Sequence, residues 1–147
     1  MDDIQFKHVT PVQIRFSDVD QFGHVNNSVY FSLYDLAKTS YFRDVMGEED
    51  WSKFGIVVAN INANFLAPVF FRDEIAIETS ITRIGNKSFE LSQRAVSQST
   101  GEVKCECTTI MVTFDVEAQT PIPMPMHYRE AISKFEGRSL EELSAKR

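Results

Sequence analysis

Three features of the sequence predict an α+β domain in which a curled antiparallel sheet wraps around one long central helix. Between Asn27 and Met46 apolar side chains return every three or four residues, the period of a helix with a buried stripe. From Gly55 to Val116 long β-branched runs alternate with polar residues, the period of strands. Gly85-Asn86 and the stretch Ser99 to Glu102 break those runs with tight-turn residues, so the flanking strands should pair antiparallel.

A first strand is expected over His8 to Phe16, with Val12, Ile14 and Phe16 on one face and Gln13 and Arg15 on the other. The helix that follows carries Val29, Leu33, Leu36, Ala37 and Tyr41 on its stripe, widened by Tyr30, Phe31, Tyr34 and Phe42. So wide a stripe predicts burial on more than one side. Gly47 should end it, before the acidic turn Glu48-Glu49-Asp50. Four strands are expected next, in GIVVANINANFLAPV, DEIAIETSITRIG, KSFELSQRAVSQ and VKCECTTIMVTFDV. After Pro121, Pro123 and Pro125 the chain should form short helical pieces from about residue 124, the last opened by a capping box of Ser139 and Glu142. With no repeat and no linker, residues 1–147 read as a single domain.

Composition narrows the function. A chain of 147 residues with net charge -6 has no basic face for nucleic acid or an anionic membrane, though a small anion can still meet a local basic spot. The opening MDDIQFKHV carries two acids and no apolar run of signal-peptide length, so export is not expected, and no run approaches the roughly 20 apolar residues of a membrane span. Cytoplasm is the expected compartment. Cys105 and Cys107, on one strand face about 6–7 Å apart, suit small apolar fillers better than a disulfide. Neither CxxC nor HExxH is present, so no metal is expected.

The stretch FSDVDQFGHVNN, just before the helix, holds two aspartates, a glycine, a histidine and two asparagines. Local structure explains part of this. Asn26 or Asn27 is a favoured N-cap, Gly23 frees a turn, and Asp18 and Asp20 can bond a tight turn through their own backbone. That account leaves His24 and the second acid without a purpose. A functional account begins at the helix terminus, whose free N–H groups and dipole stabilise a carbonyl oxygen as it becomes an oxyanion. The Asp20 carboxylate would then attack the carbonyl or activate a water.

These residues carry a resemblance. DVDQFGHVNNSVY resembles the D-x-D-x-x-G-H-V-N-N-x-x-Y signature of the 4-hydroxybenzoyl-CoA thioesterase family of hotdog-fold acyl-CoA thioesterases. The likeness continues in INANFLAPVFFRDEIAIETSITRIGNKSFEL and in VTFD with a later IP, so it covers roughly Val12 to Pro123. It implies a hotdog fold, with Asp20 as the catalytic aspartate, acting as general base or nucleophile, and Asp18 structural or supporting. It places the backbone N–H near Asn27 where the family polarises the thioester carbonyl. His24 and Asn26 would position substrate or water, His24 being equally a satisfied loop histidine, and Tyr30 joins them as a substrate-binding candidate. Lys87, beside Ser88, matches a basic contact to the nucleotide phosphates, with Arg72, Arg83 and Arg94 as weaker candidates.

Departures from related patterns remove some rivals. Plant acyl-ACP thioesterases carry an asparagine two residues after their aspartate, where this chain has Phe22. The D-x-N-P-x-H pattern of hotdog hydratases and a G-x-S-x-G elbow are both missing. The expectation is an acyl-CoA thioesterase acting as a homodimer or homotetramer, with coenzyme A as part of the substrate and no other cofactor. A non-catalytic acyl-CoA or acyl-carrier binding module and an acyl-ACP thioesterase are the alternatives. Twelve Phe and four Tyr suit an aromatic or an aliphatic acyl group.

Overall fold

A computed structural model describes residues 3–47 and 54–145. The acidic turn at Glu48, Glu49 and Asp50 lies outside the described residues. In chain order the elements are β1 (His8–Val12), a 3₁₀ turn (Phe16–Asp18), α1 (Asn27–Met46), β2 (Phe54–Phe65), β3 (Ile75–Ile84), β4 (Ser88–Ser97), β5 (Val103–Asp115), β6 (Thr120–Pro121), α2 (Met126–Glu136) and α3 (Leu140–Ser144). The sheet is antiparallel in the order β1-β3-β4-β5-β2, with the short β6 added on β5. No described helix is long and apolar enough to cross a membrane.

Two buried clusters lie along α1. Its first half packs Tyr30, Leu33, Tyr34 and Ala37 on Ile75, Ile77, Ala95, Cys105 and Cys107. Its second half packs Tyr41 and Phe42 on Ile81, Phe89, Leu91 and Met111, closed by Tyr128, Ile132 and Leu143 from the tail. Both cysteines are free thiols in the core, as the filler reading expects, and burial pushes the Cys105 thiol up to about 11.

The first strand is shorter than the alternation suggests. Its register with β3 ends at Val12 opposite Ile75, where β3 begins, so nothing remains to pair with beyond it. The 3₁₀ turn then swings Phe16 outward, 82% exposed and off the core face where alternation put it. The helix is covered by the sheet on one face and by α2 beside its second half, while Phe31 and Leu36, expected on the stripe, stay exposed.

The tail finishes the edge that β1 leaves open. Past Thr79, β3 has no strand on its β1 side, and Glu136 of α2 takes that place. Its carboxylate accepts the Ile81 N–H at 3.3 Å, the Ser80 hydroxyl at 2.9 Å and the Tyr41 hydroxyl at 2.9 Å. Burial pushes the Glu136 carboxyl above its ordinary range, and these donors pull it back. Arg138 donates to the Thr82 carbonyl, and the Ser139–Glu142 capping box forms as expected.

At the other end Asp18 fixes where the helix starts. Its carboxylate is buried, 2% exposed, and accepts the Arg15 N–H at 2.8 Å and the Arg15 guanidinium at 2.9 Å. Its carbonyl accepts the Asn26 N–H at 2.9 Å. The bond from Arg15 holds its carboxyl below the usual carboxylate range, against the opposing effect of burial.

Two outcomes are expected. Glu136→Ala strands three buried donors and should cost roughly 2–5 kcal/mol in urea unfolding. Asp18, with its folded pKa lowered, stabilises the fold fully above the unfolded value of about 3.9 and loses that contribution as pH falls through the lowered folded value. An acid titration followed by circular dichroism should therefore show a shallower loss of stability for Asp18→Asn than for the wild type in that window.

Candidate active site

Between the 3₁₀ turn and α1 the chain forms a miniature hairpin. Val19 and Val25 make an antiparallel bridge, the Asp20 N–H donates to the His24 carbonyl at 2.8 Å, and the Gly23 N–H donates to the Asp20 carbonyl at 3.0 Å. Gly23 sits at φ +81°, where glycine meets no side-chain penalty. Asp20 Oδ1 accepts the Phe22 N–H at 2.9 Å and the His24 N–H at 3.3 Å, the self-bonding pattern of an Asx turn. Both bonds fall on one oxygen. The exposed carboxylate is thus held in place while Oδ2 keeps its lone pairs for a proton.

The segment after β2 forms a second wall. The Val25 N–H donates to the Val69 carbonyl at 2.8 Å, and His24 bridges Phe70 with the two rings edge to face at 5.1 Å. Asp73 fastens a turn here, its Oδ2 accepting the Phe70 N–H at 2.9 Å while its own N–H donates to the Phe70 carbonyl at 3.0 Å. The Phe71 ring meets Phe16 edge on at 6.0 Å.

At the helix entrance three of the first four N–H groups are accounted for. Asn26, the N-cap, donates to the Asp18 carbonyl and accepts the Ser28 N–H on Oδ1 at 3.1 Å. The Val29 N–H donates to the Asn26 carbonyl at 2.9 Å. The Asn27 N–H has no acceptor among the described residues. It points out of a 20-residue helix whose N-terminus carries partial positive charge. A held carboxylate and a free donor therefore belong to one loop, the minimum needed to deliver a proton acceptor and an oxyanion donor to the same carbonyl.

The remaining sequence-derived residues scatter. Tyr30 is buried, 3% exposed, its ring edge on to Phe65 at 5.4 Å and its hydroxyl pushed up to about 12 by burial first. It braces the second wall and lines no open surface of the single chain. Lys87 and Ser88 sit at the β3–β4 turn, where Ile84 pairs Phe89, whereas the Asp20 loop lies near Ile75 at the other end of β3. Nine strand steps separate those ends, roughly 30 Å. The Lys87 carbonyl is tied to Thr113 while its side chain is exposed. Arg94 is already paired with Glu78 and stacked over Phe6. Arg72 follows Phe71 in the second wall and is exposed.

Sequence reasoning missed two features. Arg129 crosses from α2 to donate to the Asn86 carbonyl at 2.8 Å, beside Lys87, and nothing in its spacing announces that approach. The second wall was visible only as the end of a strand; the signal was Asp73 three residues after Phe70, the spacing of a side-chain-capped turn.

The sequence pattern of the thioesterase-like superfamily matches residues 14–132. The chain is 24% identical over 128 residues to the long-chain acyl-CoA thioesterase FadM of Escherichia coli (strain K12), across 86% of this chain and 97% of that protein. It is 25% identical over 122 residues to the acyl-CoA thioester hydrolase YbgC of Shigella flexneri, across 78% and 87%. A crystal structure of a thioesterase from Thermus thermophilus, complexed with coenzyme A and zinc, is similar at a TM-score of 0.80 and 31% identity over 92% of this chain and 98% of that one. Among the described residues of this chain no three His, Cys, Asp or Glu side chains converge as a metal ion would require. With its helix, antiparallel sheet and loop order shared across that length, the chain belongs to the thioesterase-like superfamily and is a thioester hydrolase of the hotdog fold.

Proposed function

We propose that this chain hydrolyses an acyl-CoA thioester to a carboxylic acid and free CoA, with Asp20 as general base or nucleophile. One observation carries the reading: among the described residues the Asn27 N–H is left without an acceptor at the end of the loop that clamps Asp20 through Oδ1. In this reading the thioester carbonyl oxygen lodges at that N–H, and the helix dipole stabilises its charge as the carbonyl carbon becomes tetrahedral. As a base, Asp20 takes a proton from the attacking water. As a nucleophile, it forms a mixed anhydride that water then opens. Either way the C–S bond breaks, the electron pair leaves on sulfur, and the thiolate is protonated. No cofactor beyond the CoA of the substrate is used.

His24 and Asn26 take positioning roles, His24 through the ring it sets against Phe70 and Asn26 through the cap that aims the helix. The DVDQFGHVNN loop supports placement in the 4-hydroxybenzoyl-CoA thioesterase branch of the superfamily. Free thiols in the core suit a reducing compartment, so the same proposal includes a cytoplasmic setting.

The reading extends to a homodimer or homotetramer. The sheet has two edges, and β1 is short and blunted by Pro11. The other edge, β2, is 12 residues long and exposes Val57, Val58, Ile61 and Phe65. Pairing with a second copy along β2 covers it. A shared site also explains how Lys87, far from Asp20 in its own chain, reaches the CoA phosphates: it serves the neighbouring copy, with Arg83 and Arg129 nearby.

Asp20→Asn should leave the unfolding midpoint unchanged and lower thioester hydrolysis by about 10²–10⁴, the range for a positioned acid or base. Wild-type rates from Asp20→Asn on every active acyl-CoA would sink the mechanism. Light scattering at micromolar concentration should give two or four times the chain mass. Ile61→Lys, which puts a charge on the β2 edge, should yield a folded monomer with little activity, and a fully active monomer would reject the shared site.

A further inference from the structure

Four phenylalanines surround the Asp20 loop and none is buried: Phe16 is 82% exposed, Phe22 73%, Phe70 44% and Phe71 41%. Rings of this size normally enter the core, and a contiguous exposed set marks a surface that something apolar covers. Their positions are fixed and do not belong to a floppy loop. Phe16 and Phe71 hold one another edge on, Phe70 is pinned by the Asp73 turn and by His24, and Phe22 donates its N–H to the Asp20 carboxylate itself. Ring contacts join Phe16 to Phe71 and Phe70 to His24, Phe70 and Phe71 are chain neighbours, and backbone hydrogen bonds tie His24 and Phe22 to the Asp20 carboxylate, so all four residues adjoin the loop that carries the reacting group.

From this juxtaposition we infer that Phe16, Phe22, Phe70 and Phe71 determine acyl specificity, receiving the acyl group of the thioester and selecting one that is bulky and apolar. The inference rests on Asp20 being the reacting carboxylate. Any thioester carbonyl placed beside Asp20 carries its acyl substituent on one side and its sulfur on the other, and exposed apolar rings suit the acyl substituent better than the polar CoA side. The cations next to the rings in sequence are Arg15, paired with Asp18, and Arg72, which is exposed; the reacting carboxylate that the rings adjoin is Asp20 itself. An acetyl group has little apolar area to bury against them, whereas a chain of about eight carbons or more, or an aryl ring, has much. The edge-to-face ring pairs present both faces and edges, so aliphatic and aromatic acyl groups share this chemistry.

The test compares kcat/KM for acetyl-CoA, octanoyl-CoA, palmitoyl-CoA and benzoyl-CoA in the wild type, Phe16→Ala/Phe71→Ala, Phe16→Leu/Phe71→Leu and Asp20→Asn, with light scattering and unfolding on each. Both rings are on the surface, so the double variants should fold. The expected result is a wild-type preference for one of the three larger acyl groups over acetyl, with that ratio cut about tenfold to hundredfold in the alanine variant and largely restored by leucine. Which large group loses most tells an aliphatic from an aromatic preference. A ratio unchanged in the alanine variant, with Asp20→Asn inactive, overturns the inference and leaves the Asp20 mechanism standing. An unchanged ratio with an altered oligomer overturns it too, by giving the rings to a second copy. Full activity in Asp20→Asn overturns both, because the rings would no longer flank the reacting carbonyl.

Discussion

Asp18 is the point at which strand, loop and helix are held in one frame. Its carboxylate gathers the backbone and guanidinium of Arg15 at the end of the first strand, and its carbonyl takes the Asn26 N–H at the start of α1. A buried carboxylate bonded this way is expensive to mispair, because each donor it abandons is left dry. The geometry of the site follows from it. With Asn26 and Ser28 committed to the cap, the Asn27 N–H is left without an acceptor among the described residues, and the hairpin that carries Asp20 has fixed ends at Asp18 and Val25.

The same division of labour governs the whole sheet. A 20-residue helix is about 30 Å long, enough to bring one cluster to the Asp20 loop and another to the tail. Glu136 closes the β3 edge within the second cluster only. Stability gained from the tail is therefore remote from the loop, which keeps its exposed carboxylate and its exposed rings without the tail packing over them.

Legibility in the sequence followed from how local each cause is. The helix ran from Asn27 to Met46 with Gly47 behind it, because its period, its cap and its stop residue are all written within a few positions. The four long strands and their turns were legible for the same reason. Phe16 was not, since its direction depends on where β3 begins, some sixty residues later. Nor was the exposure of Phe31 and Leu36 on α1, which depends on how far the sheet and the tail reach around the helix. The turn bonding of Asp20 and the N-cap at Asn26 were legible in the loop itself. The separation of Lys87 from Asp20 is a property of strand register, which no local motif contains, and the wall of Phe70, Phe71 and Asp73 meets the loop only through tertiary bridges.

What the single chain leaves exposed forms a consistent set: the Asp20 carboxylate, four phenylalanines around it, and the apolar β2 edge. An oxyanion donor facing bulk water stabilises little, since two unit charges at 4 Å interact by about 1 kcal/mol at water's dielectric and by about 4 kcal/mol at an effective value of 20. The Asn27 N–H and the helix dipole gain strength only when water leaves the loop. In the proposed enzyme two things expel it, a second copy along β2 and the acyl group against the rings. An acyl group too small to cover the rings leaves the donor wet, so it loses transition-state stabilisation as well as binding. Acyl recognition and catalytic power then come from the same act of covering, and the exposed phenylalanines couple the two.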